Sequence, residues 1–267
     1  MARVSATATA LAGLFFGAAL GIAGGTFLLA PATGSQSATD VATVTAERDT
    51  VNDQLREANT VINRVGDAAV KDSLSIQSVT VLVAPGTDGE SIAELERLLN
   101  VAGATTVTRV ELTEKFLTQS EAETLKNLAV TTLPAGAQLS VDNREPGMHV
   151  GQLMAAAFAE STSETDRQLV FDALSGGGYL TSTAPIPSAG AVVVVLDDAM
   201  DAFARIQYAQ LGRGLTDGGM RTVVTAVGPV ATSDEAQSPF SGATTVDYVD
   251  QPGGRIQVIL QVGANNE

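Results

Sequence analysis

Residues 191–196 read AVVVVL, and this stretch decides the fold class. The run is apolar at every position and does not alternate with polar residues. A strand of a parallel sheet that is covered on both faces has this pattern, whereas a half-exposed strand alternates. Asp197 and Asp198 follow directly and Asp201 lies three residues further on. Carboxylates in this place are typical of a helix start, where they cap free backbone N–H groups. The stretch predicts a buried strand followed by a helix.

Strand and helix patterns alternate on both sides of this stretch. Upstream, the β-branched run at 79–83 predicts a strand. Ser91 and Glu94 have the spacing of a capping box that opens a helix, and residues 105–112 predict the next strand, which completes a βαβ unit. We predict further helices from a second capping box at 120–123 and at about 151–159, 164–174 and 199–211, with strands at 221–227 and 255–262. This order predicts a single three-layer α/β domain with a mainly parallel sheet over residues 75–267.

The N-terminal residues 1–32 predict a transmembrane anchor. Between Arg3 and Asp40 there is no ionisable side chain, and the apolar run is about as long as a bilayer is thick. Arg3 precedes the span, so we expect a cytoplasmic N-terminus and an extracytoplasmic main domain. The alternative is a cleaved signal peptide with a site near residue 32. Four glycines share one helical stripe that would let a second transmembrane helix approach closely: Gly13, Gly17, Gly21 and Gly25.

Residues 33–74 predict a linker and a coiled-coil stalk. Apolar residues recur there at alternating spacings of three and four, which is the heptad pattern of a two-stranded coiled coil. We therefore expect a parallel homodimer, with Arg48 as the one charged position of the seam. The alternative is an amphipathic helix that packs on its own domain. The seam positions are Val41, Arg48, Leu55 and Ile62 at position a, and Val44, Val51, Ala58 and Val65 at position d.

Composition excludes several classes of function. The formal net charge is −15 and the isoelectric point is about 4.3, so the chain has no excess of cations with which to bind nucleic acid. The same charge argues against electrostatic attachment to an anionic membrane surface. The chain has no cysteine, which excludes disulfides and thiolate metal sites.

Few residues carry chemistry. Met148, His149 and Met154 form the one group of soft ligands, and thioether and imidazole suit copper(I). The alternative is a surface histidine beside core methionines. The turn at 85–89 matches neither dinucleotide nor P-loop motifs, and its acidic residues would repel phosphate. No catalytic arrangement is apparent, so we expect no enzyme and no cofactor, with copper as the exception that the soft ligands allow.

Three segments carry a family resemblance: AERD at 46–49, LPAGAQL at 133–139, and PGGRI at 252–256 ahead of an apolar run. With the N-terminal anchor, they make the chain similar to the mycobacterial copper transport protein B family of Corynebacteriales. The resemblance implies a cell-envelope location and a role in copper efflux. Members also look like partners of a second membrane-anchored protein in cell separation, where cell-wall hydrolases are controlled.

We therefore expect a single-pass, coiled-coil-dimerised envelope protein whose α/β domain binds other envelope proteins. On this reading, the partners are a cell-wall hydrolase or a second membrane-anchored protein, and the process is cell separation. Copper efflux is the alternative, and an enzyme of unknown type is the third possibility.

Overall fold

A computed structural model describes residues 38–74, 78–230, 240 and 243–264, with side chains from Thr45 onward. Within this part of the chain no helix has the length and apolar character needed to cross a bilayer. The predicted anchor at 1–32 and its glycines Gly13, Gly17, Gly21 and Gly25 lie outside the described residues. So do the side chains of Val41 and Val44.

Helices and strands are interspersed along the described chain. Two short 3-10 segments, Glu114–Leu117 and Gln119–Glu121, follow the second strand. The helices are α1 (Ala38–Val70), α2 (Gly89–Val101), α3 (Ala122–Thr131), α4 (Pro146–Phe158), α5 (Glu164–Gly176), α6 (Ala202–Asp217) and α7 (Pro252–Gly263). The strands are β1 (Ser78–Val83), β2 (Thr106–Leu112), β3 (Leu180–Thr181), β4 (Ala191–Leu196), β5 (Arg221–Ala226) and β6 (Thr245–Val246).

The strands form one six-stranded sheet in the order β3-β2-β1-β4-β5-β6. Only β3 runs antiparallel to its neighbour, β2; the other pairs are parallel. β1 and β4 lie side by side, with Val81 opposite Val193. This is the order of a doubly wound sheet, whose direction of winding reverses between these two strands. The predicted α/β class with a mainly parallel sheet is confirmed.

Both faces of β4 are covered, as its uninterrupted apolar sequence predicted. Val192, Val194 and Leu196 belong to a core shared with α3, α4, α5 and α6. The alternate residues Ala191, Val193 and Val195 belong to a second core, which they share with α2, α7 and the end of α1. Successive side chains of a strand point to opposite faces, so one strand supplies two cores. The result is three layers, helix–sheet–helix.

The predicted strand at 255–262 is wrong, because these residues lie in the helix α7. Ile256, Val258, Ile259 and Val262 are buried whereas Gln257, Leu260 and Gln261 are exposed, which is helical spacing. Pro252 occupies the first turn, where its missing N–H is not needed. The β-branched residues favour a strand by propensity, but the packing of this apolar face against the sheet outweighs that propensity and stabilises a helix.

Both predicted capping boxes are also wrong. α2 begins earlier, at Gly89, and its N-cap is Asp88, whose carboxylate accepts a hydrogen bond from the Ser91 N–H at 2.9 Å. These backbone contacts hold the pKa of Asp88 below its usual value. α3 begins at Ala122 with no side-chain cap, because a 3-10 turn precedes it. The two short strands β3 and β6 were not predicted.

The chain divides into two compact units, Met1–Gln54 and Leu55–Glu267. The second unit begins within α1, ahead of the predicted boundary at residue 75. Val70 and Leu74 are fully buried in the second core, and Ile62 packs against it. The C-terminal half of α1 is therefore an amphipathic helix that packs on its own domain, which was the alternative to the stalk. Other seam positions stay exposed: Leu55 is 47% and Val65 is 41% accessible.

Candidate functional site

The three predicted soft ligands lie on α4, a helix that is almost wholly buried. Met148 and Met154 are 2% and 0% exposed, and Met154 packs in the first core. They are six positions apart in the helix, which turns the two side chains about 120° apart around its axis. The structure thus gives both methionines a packing role. In the described part of the chain, no group of three or more His, Asp or Glu side chains could hold a metal ion.

His149 anchors a loop. Its Nε2 lies 3.0 Å from the Ser140 carbonyl oxygen, which can only accept, so Nε2 carries the proton. The side chain is 5% exposed, and Nδ1 is buried without a hydrogen-bond partner among the described residues. From one helical turn further along α4, Gln152 Oε1 accepts the Ser140 N–H at 2.8 Å. Both backbone groups of Ser140 are therefore held by α4.

This loop contains the segment at 133–139 that carries the family resemblance. A turn closes it, with the Ala137 N–H donating to the Pro134 carbonyl at 3.1 Å. Further along, the Asn143 side chain donates to Gln210 Oε1 of α6 at 2.7 Å. Val141, between these anchors, remains 71% exposed. The loop is thus fixed to α4 and α6 while it presents an apolar side chain to solvent.

The same loop forms one wall of a cleft of about 380 Å³. The opposite walls come from the C-terminal ends of α4 and α6. The buried Arg167 supports the floor by donating to the carbonyls of Ala157 and Thr162, each at 2.9 Å. The lining is small and polar, and Asp217 is its one ionisable residue. It comprises Pro134, Ala135, Gly136, Ala137, Gln138, Gln152, Ala156, Ala159, Ser161, Thr162, Asp217 and Gly218.

Two of the three carboxylates after β4, those of Asp197 and Asp201, accept backbone hydrogen bonds. Asp201 caps α6 by accepting the Ala204 N–H at 2.8 Å. Asp197 accepts the N–H of Asp198 at 2.8 Å, and its other oxygen lies beside the turn at Gly86, where φ is +86°. Burial, together with the charges of Glu114 and Asp197, raises the pKa of Tyr208.

The terminal family segment at 252–256 builds a helix start. A side chain at Gly254 would collide with the carbonyls of Asp247 and Tyr248. Arg255 is buried and donates to the carbonyls of Val249 and Asp250 at 3.1 and 2.8 Å. Burial lowers the pKa of Arg255. The sequence signalled the importance of this segment but not its role, because the acceptors are carbonyls of a turn without a characteristic sequence.

Comparison with known proteins identifies a family model that covers the whole chain and relatives that cover most of it. The family model described as "Copper transport outer membrane protein, MctB" matches residues 1–267, which include the three segments of the resemblance. The chain is 28% identical over 242 residues to "Copper transporter MctB" of Mycobacterium bovis and, equally, of Mycobacterium tuberculosis, covering 83% of this chain and 77% of each relative. The protein of that name from Mycobacterium leprae is 26% identical over 221 residues, covering 74% of this chain and 70% of the relative.

Proposed function

The chain belongs to the MctB family, and from this premise we propose that it is a copper-transport component of the cell envelope that acts by binding other envelope proteins. One observation carries the proposal: the family model extends over all of residues 1–267, and the curated relatives carry the name copper transporter. The family description names an outer membrane protein, which supports an envelope location. We place residues 1–32 as a single-pass anchor with a cytoplasmic N-terminus and the α/β domain outside.

In this proposal the α/β domain contributes contacts with proteins, and it neither coordinates copper nor catalyses a reaction. Met148 and Met154 are packed in the protein interior, and His149 holds Ser140. A side chain with a packing or hydrogen-bonding role would have to leave it to bind a metal. Copper would then pass through the partner or through the assembly.

A second candidate function is cell separation, through binding of a cell-wall hydrolase or a second membrane-anchored protein. The observation that favours it is the loop fixed by His149, Gln152 and Asn143, which holds Val141 71% exposed. Rigid presentation of an apolar side chain suits a protein contact, because little entropy is lost on binding.

Both candidates suppose that the chain works as a parallel homodimer joined along α1. The heptad spacing of residues 41–65 supports this assembly, as does the exposure of Leu55 and Val65 on that helix.

One experiment in cells tests these functions. The gene is deleted and then restored as the natural sequence or as a variant with Met148→Leu, His149→Gln and Met154→Leu, and copper content and cell separation are measured. We expect deletion to raise cell copper and the triple variant to restore it fully, because Leu conserves the volume of Met and Gln can still donate to Ser140.

The outcomes separate the candidates. If the deletion leaves copper unchanged but produces unseparated cells, copper transport is wrong and the second candidate stands. If the natural sequence restores copper control and the triple variant, present at the same level, does not, the three side chains bind copper. A chain with Val141→Asp is the matched variant for the second candidate function. It changes the exposed side chain of the loop and leaves the interior, including residues 148, 149 and 154, unchanged.

A further inference from the structure

The C-terminal half of α1 carries two separate apolar faces. One faces the domain: Ile62 and Val70 pack with the second core, and Gly66 lies against Ile256. Asn59 extends this face by donating to Gln251 Oε1 at 2.7 Å. The other face, which we call the exposed stripe, consists of Ala58, Val61, Val65 and Ala68.

The exposed stripe has no partner among the described residues, although it is apolar. Val61 is 55% and Val65 is 41% exposed, and both alanines are exposed too. The residues follow each other at spacings of three, four and three, which is the spacing of a coiled-coil seam. In the predicted heptad they occupy positions d and g, whereas Ile62 occupies position a.

The direction of the stripe leaves room for a second helix. With 3.6 residues per turn, the stripe is centred roughly 120° around the helix from the face that packs on the domain. A partner helix along the stripe would therefore lie beside the domain. A partner helix along the predicted a/d seam would compete with the domain for Ile62.

The charges beside the stripe fit a second copy of the same chain. One edge carries Glu57 and Arg64, and the other edge carries the uncharged Ile62 and Ala69. In a parallel pair, each edge of one helix packs beside the opposite edge of the other. No like charges would meet, and the long stem of Arg64 could cover apolar surface of the other copy.

We propose that Ala58, Val61, Val65 and Ala68 form the seam of a parallel homodimer, with Ile62 turned onto its own domain. This inference rests on the proposed homodimer and specifies its contact face. Within the compact unit Leu55–Glu267, the seam therefore follows positions d and g of the predicted heptad in place of positions a and d.

Single-cysteine crosslinking of the full chain in the membranes of cells that produce it tests the seam. The natural chain has no cysteine, so each variant carries one thiol. The variants are Val61→Cys, Val65→Cys, Ile62→Cys and, as the control, the exposed Thr60→Cys. Seam residues of a two-stranded coiled coil approach within disulfide range. We expect mild oxidation to convert most of the Val61→Cys and Val65→Cys chains to covalent dimers, and little of the other two.

The pattern of crosslinks separates the possible failures. Strong crosslinking of Ile62→Cys with weak crosslinking of Val61→Cys would overturn the proposed seam. It would show instead that the homodimer forms through positions a and d. If none of the other three variants crosslinks more than Thr60→Cys, the homodimer through α1 is wrong. Copper content and cell separation are measured independently, so neither result decides the copper role.

Discussion

Three glycines permit a close contact between two helices of the domain. α4 and α6 cross with backbone against backbone, and a side chain at Gly147 or Gly151 would collide with carbonyl oxygens of α6. Gly214 has the same relation to the Met148 carbonyl. Glycine costs about 1 kcal/mol relative to Ala in a helix interior, so its use here reflects the need for close approach.

We predict that Gly151→Ala destabilises the domain by about 1–3 kcal/mol, because its methyl group would overlap the Leu211 carbonyl and push the two helices apart. Urea unfolding followed by circular dichroism measures the change. The matched control is Gly176→Ala at the exposed end of α5, where nothing lies within 4 Å of the new methyl group. That change should be neutral or stabilise by less than about 1 kcal/mol. Equal stability of the two variants would contradict the packing argument.

The roles of His149 and Asp201 show which side-chain contacts can be predicted from the sequence. His149 looked like a copper ligand because imidazole and thioether were adjacent in the chain. Its role depends on Ser140, whose carbonyl has no sequence signature. The capping of α6 by Asp201 was predictable, because the acceptor and the donor lie three residues apart. Local partners can be read from a sequence, and partners brought together by folding cannot.

At the scale of elements, α1 is attached to the domain by an ion pair as well as by its apolar face. Arg97 of α2 donates to both oxygens of Asp67, at 2.7 and 3.0 Å, and also to Glu94. The Arg97 guanidinium holds the pKa of Asp67 below its usual value, and it does the same to Glu94. The lowered pKa means that the folded state favours the ionised carboxylate.

We predict that Asp67→Asn lowers the free energy of unfolding at pH 7 by less than about 1 kcal/mol, since the pair is half-exposed and screened by solvent. Because the folded pKa is depressed, this contribution exists above the usual pKa of Asp, about 4, and disappears as the pH falls through the folded value. The stabilities of the variant and the natural chain should therefore converge below pH of about 4. Unfolding measured across pH checks this, with Asp49→Asn as a control outside the domain unit. A difference that persists in acid would show that Asp67 acts through packing.

Some elements are predictable from their own sequence, and others depend on packing against the rest of the domain. β4 was predictable because a strand covered on both faces needs an uninterrupted apolar run. α7 was not, since Ile256, Val258 and Ile259 favour a strand by propensity and become helical only when their face packs on the sheet. The same limit applies to α1, whose apolar pattern is compatible with either a coiled-coil seam or a face that packs on the domain. Sequence alone offered both alternatives, and the contacts of Ile62 and Val70 show that one face of the helix packs on the domain.

At the scale of the whole molecule, the doubly wound domain incorporates the end of the helix that leads into it. Leu74 is fully buried, and its N–H donates to the Ala102 carbonyl at 2.8 Å, which ties the end of this segment to α2. The domain therefore cannot be separated from α1 at the predicted boundary, residue 75.

We predict that a chain truncated to begin at Leu55 unfolds at the same urea concentration as the full chain, because it retains the whole compact unit. A chain beginning at residue 75 should lose several kcal/mol, since burial of each large apolar side chain contributes about 1.5–3 kcal/mol and both Val70 and Leu74 would be missing. A domain has only about 5–15 kcal/mol in total, so the shorter chain should be partly unfolded or prone to aggregation. Urea unfolding and gel filtration of both truncated chains test this. The matched control is the chain from Leu55 with Val70→Ala, which should lie between the two. If the chain from residue 75 proves as stable as the chain from Leu55, the end of α1 is a stalk after all, and its contacts with the domain do not stabilise the fold.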